Sequence, residues 1–346
     1  LGKERLQAVV FAGTPYAHPP LGTLAGIDAI TLDDVKAFWK TAYTRAALTV
    51  GLAGDLPADL KTRLLSRLGA LPAGPALPAP AGVKGRRPPA LEVEIVQKET
   101  RATAISFGLP IEVTRSHADF AALSVFRAFL GEHRNSMAHL YQRIRELRGM
   151  NYGDYAYVEA FPYGMYATSP APNVARRAQL FEVWIRPVVP ANGPMALKIA
   201  LHELDRLIRQ GISEADFRRT RDYLMKNVYL LTSTQGDDLG AALDSRWYGT
   251  GDLVPYLRER LAKLTRADVN RAIRKHLSAE TLSVVMITKD AEGLKKQLLS
   301  AEPSTIAYDA PKPPEVLAED AVIGARKLGL APERVRITPV AEVFAR

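Results

Sequence analysis

Cysteine is absent from the 346 residues, which excludes a disulfide framework, a thiolate metal site and a thiol nucleophile. That absence leaves the compartment open. No stretch of 18 apolar residues occurs, so no segment has the length of a membrane-spanning helix. The opening LGKERLQAVVFAG (Leu1–Gly13) lacks the organisation of a secretion signal and reads as the middle of a helix. No nucleic-acid motif accompanies the excess of 46 Lys and Arg over 37 Asp and Glu, a formal charge of +9. The basic residues concentrate in Arg134–Arg148, Arg206–Lys226 and Arg258–Lys275, interleaved with apolar residues at helical spacing. They read as solvated helix faces. What remains, 47% hydrophobic and 24% charged, is ordinary globular composition with length enough for two cores.

The most informative feature present is an internal repeat. Thr31–Ser66 aligns without a gap on Thr265–Ser300, over 36 residues. The identical pairs include Thr31/Thr265, Asp34/Asp268, Val35/Val269, Leu48/Leu282, Val50/Val284, Leu60/Leu294 and Leu64/Leu298. Each copy reads as helix, apolar strand, helix. A repeat of this length points to domain duplication rather than a short-period solenoid. The second copy is preceded by about 175 residues of its own domain and the first by far fewer, so about 145 residues are expected upstream, for a domain of about 200. The expected organisation is 1–78 as the second half of a first domain, 79–90 as a Pro- and Gly-rich linker, 91–300 as the second domain, and 301–346 as a proline-rich, irregular tail wrapping back over the body.

Thr31 with Asp34 three residues on is a capping-box start for the first helix. Ala47–Ala53 reads as a buried strand, and Pro57 as the start of the next helix. In the second domain, strands are expected at 90–97, 102–108, 152–159, 164–168 and 180–189. Helices are expected at Ser116–Leu130, with Ser116 as cap, at Ser136–Arg148, and then at 194–210, 213–231, 236–248, 255–263 and 265–277. Strand runs separated by helix pairs predict an α+β fold, helices on one face of an antiparallel-rich sheet, in two homologous domains of which the first is incomplete.

The sharpest local feature is Tyr141–Tyr157. A helix stops at Arg148, because Gly149 suits a left-handed cap, and a strand begins at Tyr152. Arg145 and Tyr152, seven residues apart around that corner, can aim a guanidinium and a phenol at one spot. On these residues alone, a surface arginine and a strand tyrosine packing on a neighbour are the favoured reading, and two polar residues at such a corner do not by themselves make a site.

The segments GTPYAHPPLGT (Gly13–Thr23), ITLDDVKAFWKTAYTRAALTVGLAGD (Ile30–Asp55) and IRELRGMNY (Ile144–Tyr152), in this order and with the duplication, resemble the insulinase/pitrilysin family, the inverted zinc metallopeptidases. The resemblance covers essentially Leu1–Ser300. It implies two homologous α+β domains per half, closing like a clam shell around an unfolded peptide. It further implies that the zinc helix, H-x-x-E-H, lies in the first domain, and that Arg145 and Tyr152 are the second domain's Arg/Tyr pair. Arg145 then holds substrate carbonyls, and Tyr152 donates a hydrogen bond to the developing oxyanion.

This chain departs from the family pattern in lacking H-x-x-E-H. None of His18, His117, His133, His139, His202 and His276 are four apart. Glu132-His133 comes nearest, with Phe129 in the place of the first histidine. His202-Glu203 reads as surface, and His18 as a structural loop residue. No metal is therefore expected on this chain. Zinc is expected only through an upstream N-terminal segment or a partner subunit, whose absence should leave an apolar face exposed. Other expected partners are an unfolded peptide, with no nucleic acid and no membrane span. The family implies a bacterial periplasmic or exported protein, with the cytoplasm as alternative. Two function classes stay open: the cleft wall of a zinc endopeptidase, and a non-catalytic subunit or scaffold that binds a peptide or a partner chain. The Arg145/Tyr152 pair favours the first.

Overall fold

The computed structural model describes residues 1–75, 83–161 and 169–345. The helices α1 (Gly2–Val10), α2 (Leu24–Ala29), α3 (Leu32–Ala42) and α4 (Leu60–Leu68) precede β1 (Glu92–Gln97) and β2 (Thr103–Ile111). Then come α5 (Phe120–Gly131), β3 (Asp154–Tyr157) and β4 (Gln179–Val188). A helical run follows: α6 (Gly193–Gln210), α7 (Glu214–Asn227), α8 (Gln235–Tyr248), α9 (Leu253–Lys263) and α10 (Arg266–His276). After β5 (Ser283–Thr288) and α11 (Ala291–Leu299), the chain ends in α12 (Pro314–Gly324), β6 (Val335–Pro339) and α13 (Val340–Val343).

The strands form one mixed sheet, in the order β3-β4-β2-β5-β1-β6. β1 runs parallel to β5 and β6, and the other pairings are antiparallel. Side chains alternate across a strand, and both faces are apolar here. Val284 and Met286 of β5 join Ile105, Phe107, Val183 and Ile185 in the main core beneath α5, α6 and α10. Val285 and Ile287 point the other way, onto Leu6, Val10 and Phe11 of α1 and its extension. The fold is α+β, with its helices mainly on one face and α1 covering part of the opposite one. Lys3 of α1 sits 3.6 Å over the Tyr157 ring and 3.9 Å from the buried carboxylate of Glu182. Burial depresses the lysine and raises the glutamate, against their mutual attraction.

Both repeats open with the same capping box. Thr31 and Thr265 each hydrogen-bond the backbone N–H three residues on, and Asp34 and Asp268 accept in return. The hydroxyl-to-carboxylate distance is 2.6 Å in both. The copies then diverge. α10, β5 and α11 are the expected helix–strand–helix, whereas Ala47–Ala53 forms no strand: a 3₁₀ turn (Arg45–Ala47) leads into extended chain. β5 lies between β2 and β1 and is hydrogen-bonded on both sides, while the first copy's segment has no ladder partner among the described residues. Apolar extended sequence becomes a strand only when another backbone satisfies its N–H and C=O groups.

Other expectations need correcting. The tail is not irregular: Pro314 occupies the first turn of α12 and β6 adds to the sheet edge beside β1. Proline is well placed at a helix start, where its missing N–H costs nothing. α4 begins at Leu60 rather than Pro57. Ser116 is not a helix cap, since α5 starts at Phe120, and Asp119 instead receives Arg271, Lys275 and His276 from α10. The strand expected at 164–168 and residues 79–82 of the linker lie outside the described residues.

Candidate active-site corner

The helix expected at 136–148 is shorter and wider than an α-helix. Tyr141–Glu146 is a π-helical turn, in which the Leu147 N–H reaches back five residues to the Gln142 carbonyl at 3.0 Å. Gly149, at φ +69°, closes it in the left-handed region that disfavours a Cβ. Its N–H donates to the Arg145 carbonyl at 2.7 Å, and that of Met150 to Ile144 at 3.2 Å. Asn151 then turns the chain into β3: its amide donates to Asp154 Oδ1 at 2.7 Å and to the Arg186 carbonyl at 3.1 Å.

This corner brings the two expected residues together. The Arg145 guanidinium lies 5.6 Å from the Tyr152 ring centroid and the same distance from that of Tyr141, within cation–π range. Arg145 also donates to Glu146 at 2.7 Å, and its Nε is buried without a hydrogen bond. Tyr152 is 76% exposed, so its phenol is presented to solvent rather than packed. Asp154, two residues on, is fully buried, and one of its oxygens has no partner. Burial pushes its carboxyl up to about 8, against the hydrogen bond from Asn151, so it is largely protonated at neutral pH.

Behind the corner lies a charge network that the sequence reading missed. Glu203, expected at the surface, is fully buried and accepts from Arg143 at 2.6 Å, Arg206 at 2.8 Å and His139 at 2.8 Å. Burial opposes its charge, but those donors hold the carboxyl well below the usual carboxylate range. Arg148 donates to Glu319 and Asp320 of α12, both at 2.7 Å, and to the Arg143 carbonyl at 2.8 Å. Arg143 also pairs with Glu319. One signal was readable: Glu203 falls on the apolar stripe of α6, three residues after Ala200 and four before Leu207. A carboxylate there must find buried partners.

The described residues do not fit a catalytic zinc ion. Phe129 cannot ligate, Glu132 pairs with Arg127 at 2.6 Å, and His133 Nδ1 is 2.8 Å from the Tyr157 hydroxyl. Two other groups converge at ligand distance, His117/Asp119/His276 and His202/Glu203/Glu319. In each, arginine or lysine side chains already neutralise the carboxylates. A cavity of about 540 Å³ opens between α5, α7 and α9, walled by Leu224, Val228, Leu257 and Leu261, and neither Arg145 nor Tyr152 lines it.

A mixed sheet with helices mainly on one face carries the Arg145–Tyr152 corner beside its edge strand β3. The family model described as "Peptidase M16 inactive domain" matches residues 29–224, more than half of the chain, and the chain belongs to that family. An uncharacterized zinc protease of Streptomyces coelicolor is 26% identical over 299 residues, 82% of this chain and 59% of the relative. The non-peptidase homolog YmxG of Helicobacter pylori is 24% identical over 291 residues, 83% of this chain and 62% of the relative. The chain thus spans about three fifths of these relatives. Among solved structures, an M16 inactive domain from Pseudomonas fluorescens superposes with a TM-score of 0.66 at 22% identity, covering 83% of this chain and 64% of that one. The likeness establishes the fold.

Proposed function

We propose that this chain forms one wall of the cleft of a zinc-dependent M16 endopeptidase, binding extended peptide and presenting Arg145 and Tyr152 to the scissile bond. The observation that carries this reading is the corner itself. An arginine and an exposed tyrosine are stacked together by a cap whose glycine, asparagine and buried charges fix the backbone on both sides. A phenol held in this way can donate a hydrogen bond to an oxyanion, and a guanidinium can bind peptide carbonyls. Zinc, held by an N-terminal segment or a partner subunit, polarises the carbonyl when bound.

The first repeat supports such a partner. Val35, Phe38, Trp39, Leu48, Val50 and Leu52 are exposed. Their counterparts Val269, Ala272, Ile273, Leu282, Val284 and Met286 are all buried, against helices of the layer and neighbouring strands. The positions left exposed in one copy are those buried in the other, and exposed apolar side chains of this kind suit a partner surface.

The test is peptide hydrolysis by this chain combined with a zinc-bearing M16 segment or subunit. Tyr152→Phe should lower kcat by roughly 10²–10³, the loss for one oxyanion donor, with bound zinc unchanged. An unchanged rate refutes the assignment. The non-peptidase relative favours a second reading, a scaffold that binds peptide without cleaving it. In that case the assembly retains peptide affinity and shows no chelator-sensitive hydrolysis.

A further inference from the structure

The C-terminal segment grips the corner at several points. Arg143 and Arg148 flank Arg145 two residues before and three after, and the guanidinium of each is taken by α12. Arg148 has no exposed side-chain surface. Lys312 donates to the Leu147 carbonyl at 2.9 Å, satisfying one of the acceptors that a helix end leaves open. Tyr308 donates to the second oxygen of Asp320 at 2.5 Å, orienting the carboxylate that meets Arg148. The segment is anchored beyond the grip as well: Lys198 donates to the Gly324 carbonyl at 2.7 Å, and β6 pairs with β1 in parallel register. Tyr152, mostly exposed, stacks on Arg145, so its aim follows the backbone of the corner.

From this geometry we infer that Glu319 and Asp320 are positioning residues for the Arg145–Tyr152 pair, setting the backbone from which the two side chains reach substrate. The inference rests on the functional reading above and deepens it. It assigns to a segment outside the matched family region, 29–224, a part in aiming the pair. The Arg143–Glu203 contact supplies the second anchor of the same turn, from α6. The corner is therefore held between two helices that are far apart in sequence.

The test is a cycle of variants in the zinc-bearing assembly, with 3-fluorotyrosine at position 152 as a probe independent of activity. Glu319→Gln/Asp320→Asn should lower kcat about tenfold, in line with the steep cost of small misplacements, with KM changed less than about twofold. It should also shift the fluorine resonance. Added to Arg145→Met/Tyr152→Phe, the same pair should cause no further loss, because it acts through those two side chains. If the double variant does not fold, Tyr308→Phe, which removes the hydroxyl that donates to Asp320, takes its place. An unmoved resonance, or losses that add to those of Arg145→Met/Tyr152→Phe, overturns the inference. Should Tyr152→Phe leave kcat unchanged, the functional reading fails, and the fluorine shift alone decides whether α12 sets the corner.

Discussion

Replacing Arg148 with methionine tests whether the corner is held by charge. Its guanidinium is fully buried and makes hydrogen bonds to Asp320, Glu319 and the Arg143 carbonyl. Methionine fills much of the volume and offers no donor. Removing one partner of a buried pair costs about 3–5 kcal/mol, because the remaining charge is stranded. Glu319 is 33% exposed and keeps Arg143, so its share is reduced by solvent. Asp320 is 12% exposed and keeps only the Tyr308 hydroxyl. The expected loss is therefore about 2–4 kcal/mol, discounting the buried-pair figure for Glu319. In urea unfolding followed by circular dichroism this lowers the midpoint by about 1 M at unchanged slope. Adding Asp320→Leu removes the stranded carboxylate and should recover at least about half of the loss. A single variant within about 0.5 kcal/mol of the parent, the range of an ordinary surface change, refutes the reasoning, as does a double variant no more stable than the single.

Asp154 should impose a pH dependence of its own. Its carboxyl titrates near 8 in the fold and about 4 when unfolded, so between these values the native state binds the extra proton, and stability falls as pH rises by up to about 1.4 kcal/mol per unit. Asp154→Asn should abolish that slope, becoming more stable relative to the parent from pH 5 to pH 8; parallel stability curves for the two proteins would contradict it. The capping boxes should differ in consequence despite equal geometry. Thr265→Ala should lower global stability by about 1 kcal/mol. Thr31→Ala, on a helix that buries no residue, should leave the midpoint in place and speed amide exchange in α3, and equal midpoint shifts would refute this.

How far the sequence could be read depended on the distance over which each feature is decided. The caps at Thr31, Thr265 and Gly149 are determined within a few residues, by side-chain-to-backbone hydrogen bonds and by a left-handed φ, and they were legible. The Arg145–Tyr152 contact was legible for the same reason, since one cap spans it. The network behind it was not. Arg148 meets Glu319 across 171 residues, and no periodicity announces which arginine on a basic turn will be buried. The tail misled through its prolines, which read as breakers; Pro314 instead begins a helix, and Pro339 ends an edge strand.

The divergence of the two repeats follows from the same distinction. Capping is a contract between a residue and its own next turn, so Thr31 and Thr265 keep it alike whatever surrounds them. A strand depends on other segments. Leu48, Val50 and Leu52 occupy the positions of Leu282, Val284 and Met286, yet among the described residues only the second set has a backbone on either side to complete its hydrogen bonds. The local pattern therefore states what Ala47–Ala53 is suited to join, namely a pair of strands with a helical layer on one face. What it becomes is decided by whether those neighbours are there, so its apolar side chains stay exposed while the equivalent set in the second copy forms the centre of a sheet.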